Sequence, residues 1–484
     1  MIRIIGILCL SALSCSVFGQ GDSLDIYLKT AGDNHPAVRA AFYAYEAALQ
    51  RIPQAGALND PQLETGFFFQ PMNIVDGRQI ADFRLMQMFP WFGGRKAART
   101  EAEHMAKMAF EQFRETRDNL CLEIYTRWYA LCRLQQQLSY IRNNREWLQQ
   151  MEMLALRKYQ ASAALQTLAS GEGKRVKASE DANSTGNGMG GMNMYQSSGN
   201  SASGNLPEND GTMTAMNMGS STTGMAGVLL IRIEAEELDN NIENLEAEIL
   251  AEKARFNVLL NRPAESAVII PDTLRQTVLA DNTDGWIQTV VQQNPMLKML
   301  EEERLSYEAK TEMNRKMGYP MFGIGLEYML IGKTKEQTGA TSMMNSMNGK
   351  DMIMPMVSIS IPLYRNKYRA AQRESLLLRK ATDEKYTDIL NQLQAELYRY
   401  KQQTDNATRN ITLYRKQVSL TYAACELLLR EFSSGKASLS DIVQMQRRLL
   451  DYRLKETDAV ADYNIAAANI RNLMSQLYYF DNNE

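Results

Sequence analysis

The sequence predicts a mainly α-helical chain that also carries four membrane-length β-strands, in two repeats of helix, strand, strand, long helix and helix. Three observations predict it. Segments far apart in the chain resemble one another in matched order, two stretches keep a helical apolar period far beyond ordinary helix length, and four short segments alternate apolar and polar residues. "NHPAVRAAFYAYEAALQRIPQAGALNDPQLETGFFFQ" from Asn34 has a counterpart in "QNPMLKMLEEERLSYEAKTEMNRKMGYPMFGIGLEYM" from Gln293. Pro36 matches Pro295 and Pro61 matches Pro320 at one offset, so no gap separates them. "QMFPWFGGRKAARTEAE" around Pro90 likewise matches "SISIPLYRNKYRAAQRE" around Pro362, with a longer loop before it in the second copy.

The chain of 484 residues opens with Arg3, an apolar run from Ile4 to Leu13 and small residues before Gln20. This pattern reads as an export signal over residues 1–19. Cys15 follows Ala12-Leu13-Ser14, a loose lipoprotein pattern, so lipid attachment there competes with cleavage after Gly19. Beyond the signal no run of about 18 apolar residues exists, which excludes a membrane-spanning helix and leaves a transmembrane β-structure open.

Short helices are expected over 24–57, 227–262, 285–317 and 438–478, and long ones over Arg95–Leu165 and Arg365–Ser433. Each long helix holds about 70 residues, roughly 100 Å at 1.5 Å per residue, far above the mean of about 11–12 residues. In the second, Leu390, Leu393, Leu397, Tyr400, Ala407, Ile411, Tyr414, Val418, Cys425 and Leu428 step by threes and fours, a coiled-coil seam. Ile442, Leu449, Ala459, Tyr463, Ala466, Ile470 and Leu473 continue it after "SSGKAS". The first copy follows through Leu120, Ile124, Trp128, Leu131, Leu134, Leu138 and Ile141. In both copies two short helices stacked end to end would cover one long helix.

The strands "QLETGFFFQ" (62–70), "IADFRLMQMF" (80–89), "MFGIGLEYM" (321–329) and "IMPMVSISI" (353–361) are each about nine or ten residues, the length that crosses a bilayer when tilted. Leu63, Phe67 and Phe69 alternate with Glu64 and Gly66, as for lipid on one side and water on the other. The alternative is a soluble four-stranded sheet. Four strands cannot close a barrel, so in lipid several copies must pool them to remove the open edges.

Composition excludes several functions. The 53 basic and 56 acidic residues leave a net charge of −3, so nothing argues for nucleic acid as a partner. Two histidines, His35 and His104, nearly empty the kit for hydrolytic or triad chemistry, and the chain reads as no enzyme, with no cofactor. His104, beside Glu101 and Met108, reads as a surface residue. Cys121 and Cys132 lie about 16 Å apart along one helix, too far to bridge. With Cys425 they read as small buried hydrophobes.

The paired segments above, "FNVLLNRP" closing the first copy and "REFSSGKASLSDIVQMQRRLLDYR" at the second hairpin turn resemble the TolC-like outer-membrane efflux channels, the outer membrane factors of tripartite pumps, over essentially the whole mature chain. The resemblance implies a homotrimer whose twelve pooled strands form an outer-membrane β-barrel in contact with lipid. An α-helical coiled-coil barrel would continue it into the periplasm, where its tip meets a periplasmic adaptor and an inner-membrane pump. Residues 20–270 and 271–484 then form the two outer-membrane-factor repeats.

The chain departs from the family at one tip. Between "KYQASAAL" and "GVLLIRIEAEELDNNI" lies an insertion, 166–226, rich in Met, Gly, Ser and Asn, where a few residues are expected. It holds Met189, Met192, Met194, Met213, Met216, Met218 and Met225. Thioether sulfur is a soft neutral ligand that favours Cu(I) and Ag(I), and a flexible chain could gather three around one ion. Met343, Met344 and Met347, with Met352, Met354 and Met356, form a second cluster at the longer strand-to-strand loop and the start of the last strand. Two other readings compete: an adaptable apolar contact for an adaptor, and neutral drift in a low-complexity linker. The chain holds 29 methionines, so some clustering arises by chance.

At the second tip Gly435, with Ser433 and Ser434, supplies the turn. Asp441 serves either as a first-turn carboxylate or in a gate, and Glu431 and Lys436 read as solvated or adaptor-facing. Phe89, Trp91 and Phe92 fit an interfacial aromatic belt, although packing at the joint would select them too. The function expected is a passive exit duct across periplasm and outer membrane for copper or silver. A drug, solvent or polypeptide duct of the same architecture is the first alternative, and a periplasmic coiled-coil scaffold the second.

Overall fold

A computed structural model describes residues 23–74, 77–171, 225–279, 283–333, 349–434 and 436–477. The signal segment with Cys15, the insertion methionines from Met189 to Met218, the loop methionines Met343, Met344 and Met347, and Gly435 lie outside the described residues.

The first set of elements is α1 (Ser23–Asn34), α2 (Pro36–Ala55), β1 (Gln62–Ile74), β2 (Gly77–Phe89), α3 (Gly94–Gly171) and α4 (Met225–Leu259). The second repeats its order: α5 (Thr283–Gln293), α6 (Pro295–Met317), β3 (Met321–Gly332), β4 (Met352–Ser360), α7 (Arg365–Ser433) and α8 (Leu439–Leu473). The single helices expected over 24–57 and 285–317 are each split, at Pro36 and Pro295. Proline has no N–H to donate and drives the residue before it out of the helical region. His35 (ψ 125°) and Asn294 (ψ 124°) are accordingly extended. Asn294 caps the new helix by accepting from the backbone N–H of Met296 (3.0 Å) and Leu297 (3.3 Å).

Both short C-terminal helices end alike. Asn261 (φ 53°) and Ser475 (φ 54°) take the left-handed conformation that closes a helix. The N–H of Arg262 reaches the carbonyl of Asn257 at 3.0 Å, and that of Gln476 the carbonyl of Arg471 at 2.9 Å. This explains "FNVLLNRP": Phe256 and Asn257 are fully buried, and Asn257 Nδ2 donates to the carbonyls of Ala264 (2.9 Å) and Ser266 (2.8 Å).

Contacts divide the chain into two compact units that cut across the repeats. The first comprises Met1–Ser139, Leu245–Arg415 and Leu454–Glu484, the second Tyr140–Asn244 and Lys416–Arg453. Within the first unit, α1 packs Tyr27, Leu28 and Ala31 against Ile124, Trp128 and Leu131 of α3 and Phe256 of α4. Nearer the start of α3, Phe42 and Tyr45 of α2 meet Phe113 and Phe110 at ring separations of 5.6 and 5.3 Å. The second copy follows suit: Trp286, Val290 and Leu297 pack on Leu393 and Leu397 of α7 and Ile470 of α8. Ala407 and Ile411 meet Ala459, Val460 and Tyr463. The expected seams are therefore the buried rows, and Thr404 and Thr421 of α7 are buried along with them.

Within the second unit, Leu148 and Met151 of α3, Ile231 and Leu238 of α4, and Ile442 and Leu449 of α8 are buried. Ion pairs flank them. Arg145 holds Asp239, Arg232 Nε lies 2.6 Å from Glu152, and Arg447 reaches Glu234 (3.7 Å) and Glu237 (3.5 Å).

The strands form one antiparallel sheet in the order β1-β2-β3-β4. β1 and β2 each run 13 residues, longer than expected. Pro71 does not end β1, because β1 is an edge strand and its register shifts between Phe67 and Met72, where a missing N–H is tolerated.

Candidate functional site: the two faces of the sheet

Side chains directly opposite one another in an antiparallel pair share a face, so the registers sort the strands. Leu63, Phe67, Leu85, Ile324, Leu326, Ile353, Val357 and Ile359 fall on one face, and all are exposed. Every charged residue of the paired segments from Gln62 to Phe67, Ala81 to Phe89, Met321 to Leu330 and Met352 to Ser360 falls on the other. There Arg84 bridges two neighbouring strands, with Nη1 3.3 Å from Glu64 Oε2 and Nη2 3.3 Å from Glu327 Oε1. Asp82 shares that face, against Gly66. Large exposed apolar side chains on one side and charges on the other match a wall between hydrocarbon and water.

The polar face also carries methionines: Met352, Met354 and Met356 of the expected second cluster, and Met86, Met88 and Met329, which sequence reasoning did not single out. Met86 and Met88 of β2 lie opposite Gly325 and Gly323 of β3, and on the far side Gly325 is paired with Met356 of β4. Met329 pairs with Met352, and Met354 with Glu327. The two glycines make room for the thioethers. A Cβ on Gly323 would stand 2.5 Å from Met88 Sδ and 3.2 Å from Met86 Sδ, and one on Gly325 would stand 3.1 Å from Met86 Sδ. Further along, Gln79 Nε2 donates to Met329 Sδ at 3.7 Å. The available signal was the alternation in "FRLMQMF" and "MIMPM", where each second residue is charged or sulfur-bearing.

At the helix end of the strands Trp91 stacks on Tyr319 (5.3 Å) and Phe322 (5.7 Å) and meets Phe92 edge-on (6.1 Å). Phe92 and Tyr364 are exposed, whereas Phe89 and Trp91 are half-buried. Tyr319 extends the aromatic group beyond the residues expected.

In the second unit, Asp441 closes a capping box: its N–H donates to Ser438 Oγ at 3.2 Å, and its carboxylate accepts from the Ser438 N–H at 3.4 Å. Glu431 is exposed, and its carbonyl accepts from the N–H of Lys436 at 2.9 Å. Met225, the described member of the insertion cluster, begins α4 and is exposed. His104 is not the surface residue expected. Its Nδ1 lies 2.6 Å from Glu302 Oε2 with both side chains largely covered, because α6 packs beside α3 and supplies a carboxylate that local sequence does not show.

Cys121, Cys132 and Cys425 are free and buried, and burial pushes the Cys121 and Cys132 thiols up to about 12. Among the described residues no cluster of His, Cys, Asp and Glu could hold a metal ion, and no helix is long and apolar enough to cross a membrane.

Residues 286–476 match the family model of the outer membrane efflux proteins. No curated protein matches the chain. Several solved structures share its fold. The outer membrane protein VceC of Vibrio cholerae has a TM-score of 0.63 at 13% identity, covering 93% of this chain and 95% of that one. A structure of CusC, described for its transmembrane channel formation, has a TM-score of 0.63 at 11% identity, covering 95% of each. The open state of the Neisseria gonorrhoeae MtrE outer membrane channel has a TM-score of 0.60 at 10% identity, covering 94% and 89%. The chain therefore shares the fold of these outer-membrane channel structures, mainly α-helical with four strands in one antiparallel sheet.

Proposed function

We propose that this chain is an outer membrane efflux protein that extends into the periplasm, the passive exit duct of a tripartite system, and performs no catalysis. The observation that carries the reading is the sheet. It has an apolar outer face and two edge strands, β1 and β4, each with a single neighbour. Unpaired backbone donors and acceptors cost several kcal/mol apiece in hydrocarbon, so the sheet can enter lipid only when other copies complete it. Three chains give the twelve strands expected of this fold. The exposed apolar face disfavours a periplasmic scaffold that never meets lipid.

Soft metal ions, copper or silver, are the cargo we assign. The support is methionine: the insertion at 166–226, the loop cluster at Met343, Met344 and Met347, and the thioethers on the polar face of the sheet. Residues 20–270 and 271–484 act as the two halves of the duct after removal of 1–19 or lipidation at Cys15. The insertion, with Gly435, Glu431 and Asp441 at the other turn, serves the end that meets adaptor and pump. Phe89, Trp91 and Phe92 anchor the duct at the membrane interface.

The test combines assembly with growth. Purified protein should require detergent, run as a trimer by mass, and carry ions across planar bilayers. A deletion strain should lose tolerance to copper or silver rather than to bile salts or dyes. A monomer soluble without detergent would end the duct reading, and sensitivity to dyes alone would end the metal reading.

A further inference from the structure

We propose that the polar face of the sheet is a thioether track for a soft monovalent cation, Cu(I) or Ag(I), centred on Met86, Met88 and Met356 around Gly323 and Gly325. The inference deepens the metal-duct reading and rests on it, since this face lines a water path only if pooled sheets close a barrel.

Segregation by face is the first argument. From Asp82 to Met88, Met321 to Met329 and Met352 to Ser360, every apolar side chain on the polar face is methionine, glycine aside. Over the same spans the opposite face uses Phe, Leu, Ile, Val, Tyr and Pro, and no methionine. A general excess of methionine would scatter across both faces. Filling space does not explain the pattern either, because leucine fills space equally and is used freely on the other side.

Convergence is the second. Glycine weakens a strand and marks a close approach by another group. Here the groups that approach are sulfurs: those of Met86 and Met88 both lie within 3.2 Å of the point a Gly323 Cβ would occupy. Met356 flanks the next glycine on its other side. Methionine has three rotatable bonds, and same-face neighbours along a strand stand about 7 Å apart, so adjacent thioethers can meet at one ion and pass it on.

Charge is the third. Glu64, Asp82 and Glu327 outnumber Arg84 on this face, an acidic balance that raises the local concentration of cations. Carboxylates are hard ligands and do not select a soft ion, whereas thioethers do. The face therefore supplies attraction and selection through different residues.

The experiment uses the full chain reconstituted as channels, with Ag(I) as the probe. Ag(I) should reduce the single-channel current of the wild type. The triple variant Met86→Leu/Met88→Leu/Met356→Leu should need about tenfold more Ag(I) for the same block and should fail to restore metal tolerance to a deletion strain. Leu85→Ile on the opposite face should block as the wild type does. Unchanged block and tolerance in the triple variant would overturn the track while leaving the metal duct standing. Failure of the wild-type gene itself to restore tolerance would overturn both. If the triple variant does not assemble, Met88→Leu and Met356→Leu are measured singly. A weaker block in either supports the track, and wild-type block in both overturns it.

Discussion

Arg145 of α3 holds Asp239 of α4 through two parallel hydrogen bonds, Nε to Oδ1 at 2.7 Å and Nη2 to Oδ2 at 2.8 Å. Hydrogen bonding from the guanidinium lowers the Asp239 pKa below its ordinary value. A carboxylate with a depressed folded-state pKa adds stability that is complete above about pH 4, its unfolded value, and that is lost as pH falls through the folded value. The pair is partly exposed, so Asp239→Asn should cost about 0.5–1 kcal/mol near neutral pH. Melting midpoints of wild type and variant in detergent should differ at pH 7 and converge in acid. A difference that persists undiminished at low pH would contradict the assignment.

Arg84 neutralises Glu327, whose side chain is only 8% exposed. Arg84→Leu strands that carboxylate on a covered surface, at about 2 kcal/mol or more. The expected result is an oligomer that dissociates at lower temperature in SDS, and Arg84→Leu/Glu327→Gln should recover part of the loss. Equal dissociation temperatures for all three proteins would show that the pair contributes nothing.

Asn257 is fully buried and satisfies three partners: the carbonyls of Ala264 and Ser266, and Arg262, whose Nη2 donates to Oδ1 at 2.9 Å. Asn257→Leu leaves two carbonyls without their donor, a cost of about 2–4 kcal/mol. Proteolysis should then open the turn after α4 before the helices are cut. Resistance equal to that of the wild type would refute this role.

With thiols pushed up to about 12, Cys121 and Cys132 hold almost no thiolate at pH 8. Folded protein should take up no maleimide at these positions over hours, and denatured protein should label fully. Rapid labelling of native protein would place them at a surface.

Much of the helical part was legible, because a helix buries residues at a period set by its own geometry. Leu393, Leu397 and Ile411 announced their seam without knowledge of what covers it. The splits at Pro36 and Pro295 were in view as residues but were passed over, since the apolar period continues through both prolines. His104 was misjudged for a different reason: its carboxylate partner comes from a helix nearly two hundred residues away in the chain, and no local pattern encodes that approach.

The sequence by itself determined the repeat, the long seams and the four alternating strands, because these depend on the spacing of residues within one segment. It also drew attention to methionine, but only in the low-complexity insertion and in the cluster running from the strand-to-strand loop into the start of β4. Tertiary structure decided that Met86, Met88 and Met356 share a face with Glu64, Arg84 and Glu327. Alternation tells which residues of a strand point the same way, but not which way the neighbouring strand points. Only the hydrogen-bonded register between strands joins separate half-patterns into one surface, and a slip of one residue would have turned those sulfurs to the other side.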